Sequence, residues 1–341
     1  MNTRLLPIIS ILILATFVLM PGRGLGTGAK RQAVQPAIPQ APAAPAYGIT
    51  TRVSVASDGS QGNNYSDWPS ISADGRYVAF TSRASNLVSG DTNYDCAGPS
   101  NCHDIFVHDR QTGITQRVSV ASDGSQGNLD SYVPSISADG RYVAFGSDAS
   151  NLVFGDTNRY VDTFVHDRQT GSTQRVSVAS DGRQGNKGSG SPSISTNGRY
   201  VAFASWASNL VSGDTNGYAD IFVHDRQTGV TQRVSLSSDG SQGNDDSYSP
   251  SISTNGRYMA FTSRASNLVS GDTNKFCGST LEGVANITGF HSIFEHKIGD
   301  RSTNLATPPP EYYNCPDVFV HDRGVKTVGY AIYLPVAQNQ P

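Results

Sequence analysis

From residue 48 onward, short apolar runs alternate with polar turns, and no stretch has the periodicity of an amphipathic helix. The pattern is clearest between residues 192 and 236. Residues 192–195 and 200–205 flank the tight-turn dipeptide Asn197-Gly198, which predicts a β-hairpin. Residues 220–224 and 231–236 then predict a third and a fourth strand. The unit is therefore four short antiparallel strands.

This unit is repeated along the chain. The phrase Arg-Val-Ser-Val-Ala-Ser-Asp-Gly begins at Arg52, Arg117 and Arg175, and an altered copy begins at Arg233. A fixed period indicates a repeat architecture, in which neighbouring units cover the faces that one unit cannot cover alone. We predict an all-β fold, a β-propeller of four four-stranded antiparallel blades. A five-bladed or open ring is the alternative.

Closure of the ring depends on the two ends of this domain. Residues 52–57 carry the phrase of a fourth strand before any first strand has occurred. We expect this strand to complete the last blade. Residues 327–336 are apolar and prone to β-structure, and they would then form an additional edge strand.

Two phrases carry a resemblance to a known family. Pro-Ser-Ile-Ser-x-Asp-Gly-x-Tyr-Val-Ala-Phe, followed by Asp-Ile-Phe-Val-His-Asp, is similar to the propeller repeat of the TolB family. The match occurs four times between Pro69 and Asp322. It implies the propeller fold. The chain has fewer repeats than such propellers usually have and lacks the TolB N-terminal domain, so the resemblance does not carry over that family's periplasmic scaffold role.

The N-terminal residues are typical of an exported protein. Residues 1–28 combine Arg4 with the apolar run 5–20, which predicts a signal peptide or an uncleaved anchor. Residues 29–47 are rich in Pro and Ala and form a linker, and residues 48–341 form the repeat domain. We therefore expect a secreted, extracytoplasmic or cell-surface location. Membrane contact is expected only through an uncleaved N-terminal segment.

Two pairs of cysteines lie outside the repeated framework. Cys96 and Cys102 are in one insertion, and Cys277 and Cys315 are in another at the equivalent position of a different repeat. The placement predicts two local disulfides, Cys96–Cys102 and Cys277–Cys315. A zinc site would need four ligands in one place. Disulfides are consistent with export.

Comparison of the four repeats with one another identifies positions where they differ. These positions precede the first strand and follow the second strand of each repeat, in loops expected to lie side by side on one face. Aromatic and charged residues there suit a carbohydrate or peptide ligand. The ligand-binding candidates are Tyr65, Asp67, Trp68, Arg83, Asp130, Tyr132, Asp148, Trp206, Asp245, Asp246, Tyr248 and Arg264. Neutral drift on exposed loops is the other interpretation.

The repeated Asp-Thr-Asn-x-x-x-Asp sequence places oxygen atoms on a tight loop, which a calcium ion could use. The candidate ligands are Asp156, Asn158, Asp162, Asp214, Asn216 and Asp220. Capping of the loop's own turn by Asp and Asn is the simpler interpretation. No other cofactor is predicted.

The sequence favours a binding or interaction module over an enzyme. It contains no Gly-x-Ser-x-Gly motif, and the formal net charge of -3 argues against nucleic-acid binding. His108, His166, His224 and His321 recur at one strand position and are interpreted as framework. The partners expected are a protein, a peptide or a glycan. A glycosidase or lyase is the first alternative, with carboxylates drawn from the variable face. A structural surface protein is the second.

Overall fold

The computed structural model describes residues 48–93, 96, 102–273 and 316–324, and this part of the chain contains strands and no helices. The first sheet contains β1 (Ser66–Ile71), β2 (Tyr77–Ser82), β3 (Asp104–Asp109) and β4 (Thr115–Arg117). The second contains β5 (Ser131–Ile136), β6 (Tyr142–Ser147), β7 (Asp162–Asp167) and β8 (Ser172–Arg175). The third contains β9 (Ser189–Ile194), β10 (Tyr200–Ser205), β11 (Asp220–Asp225) and β12 (Val230–Arg233). The fourth has three described strands, β13 (Ser247–Ile252), β14 (Tyr258–Ser263) and β15 (Asp317–Asp322).

Each sheet is an antiparallel meander in sequence order, which confirms the prediction of four propeller blades. From Thr51 onward, the described residues belong to one compact unit. The predicted signal or anchor segment 1–28 and the linker 29–47 lie outside the described residues. Among the residues that are described, no helix is long and apolar enough to cross a bilayer.

The recurring Asp-Arg pair closes the hairpins of each blade. In the second blade, Arg141 follows the turn between β5 and β6, and its guanidinium donates two hydrogen bonds, of 2.9 and 2.7 Å, to the Asp167 carboxylate. This bidentate contact with the arginine holds the pKa of Asp167 well below its usual range. The turn itself is capped by Asp139, which accepts a hydrogen bond from the backbone N–H of Arg141. The equivalent pairs in the other blades are Arg76–Asp109, Arg199–Asp225 and Arg257–Asp322.

The core consists of small clusters within and between the sheets. Inside each blade two phenylalanines from the central strands stack, as Phe145 and Phe164 do with ring centroids 6.0 Å apart. Between blades, Ile105 and Val107 of the first sheet pack against Val143 of the second, and all three are fully buried. The central strands are therefore apolar on both faces, as stacked blades require.

Adjacent blades are joined by the same contact at three interfaces. At the first, the Arg168 guanidinium lies 4.5 Å from the centroid of the Tyr77 ring, a cation–π geometry. Gly140 is next to this ring, because a Cβ there would lie 2.1 Å from a Tyr77 carbon. The other two interfaces repeat the contact with Arg226, Tyr142 and Gly198, and with Arg323, Tyr200 and Gly256.

Ile71 of the first sheet and Val318 and Val320 of the last are exposed, so these two sheets do not cover each other and the ring is not closed in the described residues. In that part of the chain, β15 pairs only with β14, and Val55 forms a bridge with Gln61. The Thr115 hydroxyl donates to the Val55 carbonyl, which places the N-terminal segment against the first blade. In the described residues, residues 52–57 therefore do not pair with β15, and the expectation that they complete the last blade is not met there. Residues 327–336 lie outside the described part.

Candidate functional site

The two variable loops of each blade lie side by side, as the sequence predicts. In the first blade, the Asn63 backbone N–H donates to Asn86 Oδ1 at 2.9 Å, and the Ser85 N–H donates to Asn63 Oδ1 at 2.9 Å. The same pairs recur as Asn128 with Asn151, Asn186 with Asn209, and Asn244 with Asn267. The recurring Asn residues are thus structural, and they hold the variable residues at one end of the blades.

A cavity of about 430 Å³ lies where the first strands of all four blades meet. Each blade contributes the residue before a proline, and these residues are Trp68, Val133, Ser191 and Ser249. All four have positive φ, between 45 and 51°. Side chains with a Cβ disfavour this conformation, and here each marks a bulge in the pairing of a first strand with its neighbour. The bulge turns one residue of each blade into the cavity lining.

A chain of hydrogen bonds crosses from the first blade to the second beside this cavity. The Tyr65 hydroxyl lies 2.7 Å from His103 Nε2, and His103 Nδ1 lies 3.0 Å from Asp130 Oδ1. Because a carboxylate only accepts hydrogen bonds, Asp130 fixes the proton of the neutral ring on Nδ1. Nε2 is then the acceptor for the Tyr65 hydroxyl. His103 and Asp130 are buried, whereas Tyr65 is 50% exposed.

Arg83 and Asp67 complete the exposed side of this arrangement. Arg83 Nε lies 3.2 Å from His103 Nε2, and its guanidinium carbon lies 5.6 Å from the centroid of the Tyr65 ring. Asp67 Oδ1 is buried and has no hydrogen-bond partner among the described residues. Burial raises the pKa of Asp67, and the positive charge of Arg83 opposes that rise.

Tyr132 connects this chain to the cavity. Its ring lies 5.5 Å from the His103 ring and 6.5 Å, edge to face, from the Trp68 ring. Its hydroxyl donates to Asp148 Oδ2 at 2.9 Å, and burial raises its pKa. We define the His103 cluster as these eight residues of the first two blades: Tyr65, Asp67, Trp68, Arg83, His103, Asp130, Tyr132 and Asp148.

The remaining ligand-binding candidates belong to the third and fourth blades. Asp246 accepts a hydrogen bond from the Ala219 backbone N–H at 2.7 Å, as Asp130 does from His103, so part of the role of these two aspartates is structural. Asp245 accepts from the Asp246 N–H. The Arg264 guanidinium carbon lies 5.7 Å from the centroid of the Tyr248 ring. Trp206 donates its backbone N–H to Gly188.

The Cys96–Cys102 disulfide is present, which confirms that prediction. Its sulfurs and an Asp130 carboxylate oxygen lie within 4.8 Å of one another. Since both sulfurs are bonded to each other, this group offers no thiolate to a metal ion. The disulfide instead holds the backbone on which His103 follows Cys102. The predicted Cys277–Cys315 pair lies outside the described residues.

An arginine lies between the carboxylates proposed for calcium. Arg175 Nη1 is 3.3 Å from Asp156 Oδ1 and 3.3 Å from Asp162 Oδ2, and Asn158 donates to Asp162 Oδ2 at 2.9 Å. Asp214, Asn216 and Asp220 surround Arg233 in the same way. These contacts favour a structural role, because a guanidinium already supplies positive charge. Calcium binding stays a prediction.

His103 is the residue of this site that the sequence pattern did not predict. It occupies the place just before β3, where the second and third blades have the buried apolar residues Val161 and Ala219. A polar residue at a repeat position that is otherwise apolar is the signal that could have identified it. The insertion in the first repeat obscured that correspondence.

The described sheets define the chain as an all-β repeat protein of the β-propeller class.

No protein-family model matches the sequence, and no curated protein matches it. Similar solved structures include TolB from Acinetobacter baumannii, with 19% identity, a TM-score of 0.35 and coverage of 61% of this chain and 42% of that one. The β-propeller domain of the Trilobed protease from Pyrococcus furiosus has 12% identity, a TM-score of 0.37 and coverage of 59% and 49%. The chain thus spans less than half of either protein. An oligogalacturonate lyase in complex with manganese has 12% identity, a TM-score of 0.37 and coverage of 64% and 56%.

Proposed function

We propose that this β-propeller is an exported binding module whose ligand is an oligosaccharide bound at the His103 cluster. The observation that carries the proposal is the exposed side of that cluster. There the half-exposed Tyr65 lies next to the Arg83 guanidinium, and the half-buried carboxylate of Asp67 interacts with both. The disulfide next to His103 supports export, because such bonds persist in oxidising compartments.

A sugar ring matches these groups chemically. Its C–H face can lie against an aromatic ring, while its adjacent hydroxyls donate to a carboxylate and accept from a guanidinium. The bond from Tyr65 to His103 and the contact with Arg83 hold the aromatic ring in position before the ligand arrives. Such preorganisation reduces the entropy lost on binding. The cavity beside Trp68 offers space for a further sugar unit.

Glycan-array screening followed by calorimetry tests this proposal. We expect Tyr65→Ala or Arg83→Ala to weaken the best glycan about tenfold or more, equivalent to about 1.4 kcal/mol. The matched control is Arg264→Ala, which removes the equivalent arginine of the fourth blade from its tyrosine. This control should leave the affinity unchanged. Equal effects of the two arginine substitutions, or binding of peptides and of no glycan, would contradict the proposal.

An enzyme is the second candidate, and the Tyr65–His103–Asp130 chain favours it. The Tyr65 hydroxyl donates to His103 Nε2 and Asp130 orients that ring, an order of groups in which the histidine could take the phenol proton. In that case this protein would be a glycosidase or lyase, and it would turn over the oligosaccharide that it binds. Tyr65→Phe retains the ring, so it would abolish turnover while retaining most of the affinity. Unchanged oligosaccharide after long incubation would leave the binding module as the better description.

A further inference from the structure

The two end blades carry the two halves of the contact that joins the blades inside the chain. The first half is the front face of the fourth blade, defined here as Tyr258, Val318 and Val320. These side chains are 41, 76 and 68% exposed. Their equivalents in the first blade include Ile105 and Val107, which are fully buried because the second blade covers them.

The second half is the back face of the first blade, defined here as Ile71, Gly75 and Arg110. Ile71 is 59% exposed, whereas the equivalent residues Ile136 and Ile194 are 7 and 8% exposed under a neighbouring blade. Arg110 Nη1 donates to the Gly75 carbonyl at 2.7 Å. At the internal interfaces the equivalent pairs, Arg168 with Gly140 and Arg226 with Gly198, make this bond while they contact a tyrosine.

The two faces therefore match in chemistry and in position. The hydrogen bond to Gly75 holds Arg110 in the conformation that Arg168 and Arg226 have against a tyrosine ring. In the described residues, no arginine of a following blade contacts Tyr258. The backbone matches as well. The Ala73 N–H donates to the Ala138 carbonyl, and the Ala138 N–H donates to the Thr196 carbonyl. In the same pattern, the Thr254 N–H is the donor on the front face of the fourth blade, and the Ala73 carbonyl is the acceptor on the back face of the first blade.

We propose that the front face of one chain binds the back face of a second copy of the same chain. Within one chain these faces do not meet in the described residues, because Ile71 on the back face and Val318 and Val320 on the front face are all more than half exposed. A head-to-tail contact of this kind forms a ring when the rotation closes. Two copies with four blades each would form a ring of eight blades, which is within the range known for propellers.

Light scattering coupled to size-exclusion chromatography tests this proposal on the full chain. We expect the unmodified protein to have twice the mass of one chain and to dissociate on dilution. Val320→Glu places a charge in the front face, and Arg110→Glu reverses the charge in the back face. Each should raise the dissociation constant at least about tenfold, which corresponds to about 1.4 kcal/mol. The control is Phe154→Glu, an exposed residue outside both faces, which should leave association unchanged.

A mixture of the two variants distinguishes head-to-tail pairing from other dimers. The intact front face of Arg110→Glu can bind the intact back face of Val320→Glu, so the mixture should form dimers at concentrations where each variant alone is a monomer. Because Arg110 is exposed, we expect its replacement to leave the fold intact, and an unchanged circular-dichroism spectrum and urea midpoint of the variant would exclude unfolding as the cause. A monomer at every concentration would overturn the proposal, whether the ring closes within one chain or residues 325–341 cover the front face. A dimer that both variants leave intact, or a mixture that stays monomeric, would overturn it as well.

Discussion

At the scale of single residues, the repeated phrases are explained by buried charge. Three of the four arginines that begin these phrases, Arg117, Arg175 and Arg233, lie between two aspartates, as Arg175 does between Asp156 and Asp162. Asp162 also accepts a hydrogen bond from the Ser177 hydroxyl at 2.6 Å. Removing one partner of such a buried group leaves the other uncompensated, and this physical constraint accounts for their joint recurrence.

The pKa of Asp162 leads to a prediction on pH dependence. Burial raises this pKa from 3.8 to about 6 in the folded protein. Between about pH 6 and pH 4, the Asp162 carboxyl is therefore protonated in the folded state and ionised in the unfolded state. The free energy of unfolding consequently rises as the pH falls through this window. Relative to Asp162→Asn, the wild type should gain up to about 3 kcal/mol of unfolding free energy between pH 7 and pH 4.

Urea denaturation of both proteins at several pH values measures this difference. Asp181→Asn is the control, because Asp181 is an exposed aspartate whose pKa is lowered by hydrogen bonds from Arg183. For this control, the wild type should not gain unfolding free energy relative to the variant as the pH falls. A constant difference between the wild type and Asp162→Asn across this pH range would show that Asp162 stays ionised in the fold.

At the scale of elements, the turn between the first two strands of a blade has two roles. Gly198 allows the turn because its φ is +71°, a conformation that side chains with a Cβ disfavour. It also allows the preceding blade to approach, because a Cβ would lie 2.1 Å from a carbon of the Tyr142 ring. The hairpin and the interface between blades therefore depend on the same residue.

Gly198→Ala should consequently destabilise the protein more than the backbone conformation alone explains. We expect a loss on the order of 3 kcal/mol, from the strained φ and from displacement of the Tyr142 ring. The matched control is Gly213→Ala, where φ is +75° and a Cβ would meet nothing within 4 Å. Gly213→Ala should lower the free energy of unfolding by about 1 kcal/mol. Chemical denaturation measures both, and similar losses would mean that the tyrosine moves aside freely.

The sequence predicted the elements of each blade well and their limits less well. In the third repeat the first strand begins at Ser189, earlier than the predicted residue 192, because a bulge near Ser191 lengthens it. The predicted fourth strand ends early, at Arg233, since Leu236 pairs with Gln242 instead. Among site residues, Tyr65 and Arg83 were found because repeats differ there. Their partner His103 depends on an insertion and on a contact with the next blade, which local patterns do not specify.

At the scale of the whole molecule, stability should vary along the row of blades. Each blade contacts its neighbours in sequence, so the middle blades have two covered faces, whereas the front face of the fourth blade is exposed. Repeat proteins of this kind have stabilities that depend on nearest-neighbour interfaces. The end blades are therefore expected to open at lower free energy than the middle ones.

Hydrogen exchange measured by mass spectrometry tests this gradient. We expect the slowest exchange in β6, β7, β10 and β11, and faster exchange in β15, where alternate side chains are exposed. The Arg110→Glu variant is the appropriate protein, since association through the front face would protect β15. Uniform protection across all four blades would show that the unit opens only as a whole.

The contact between blades also has a consequence for how such a gene can change in length. Every repeat encodes both halves of that contact, the tyrosine for the following blade and the arginine and glycine for the preceding one. Duplication or loss of one whole repeat by recombination would therefore create no new surface that selection must first adapt. The number of blades can vary like a copy number, while the sequence inside each blade remains constrained.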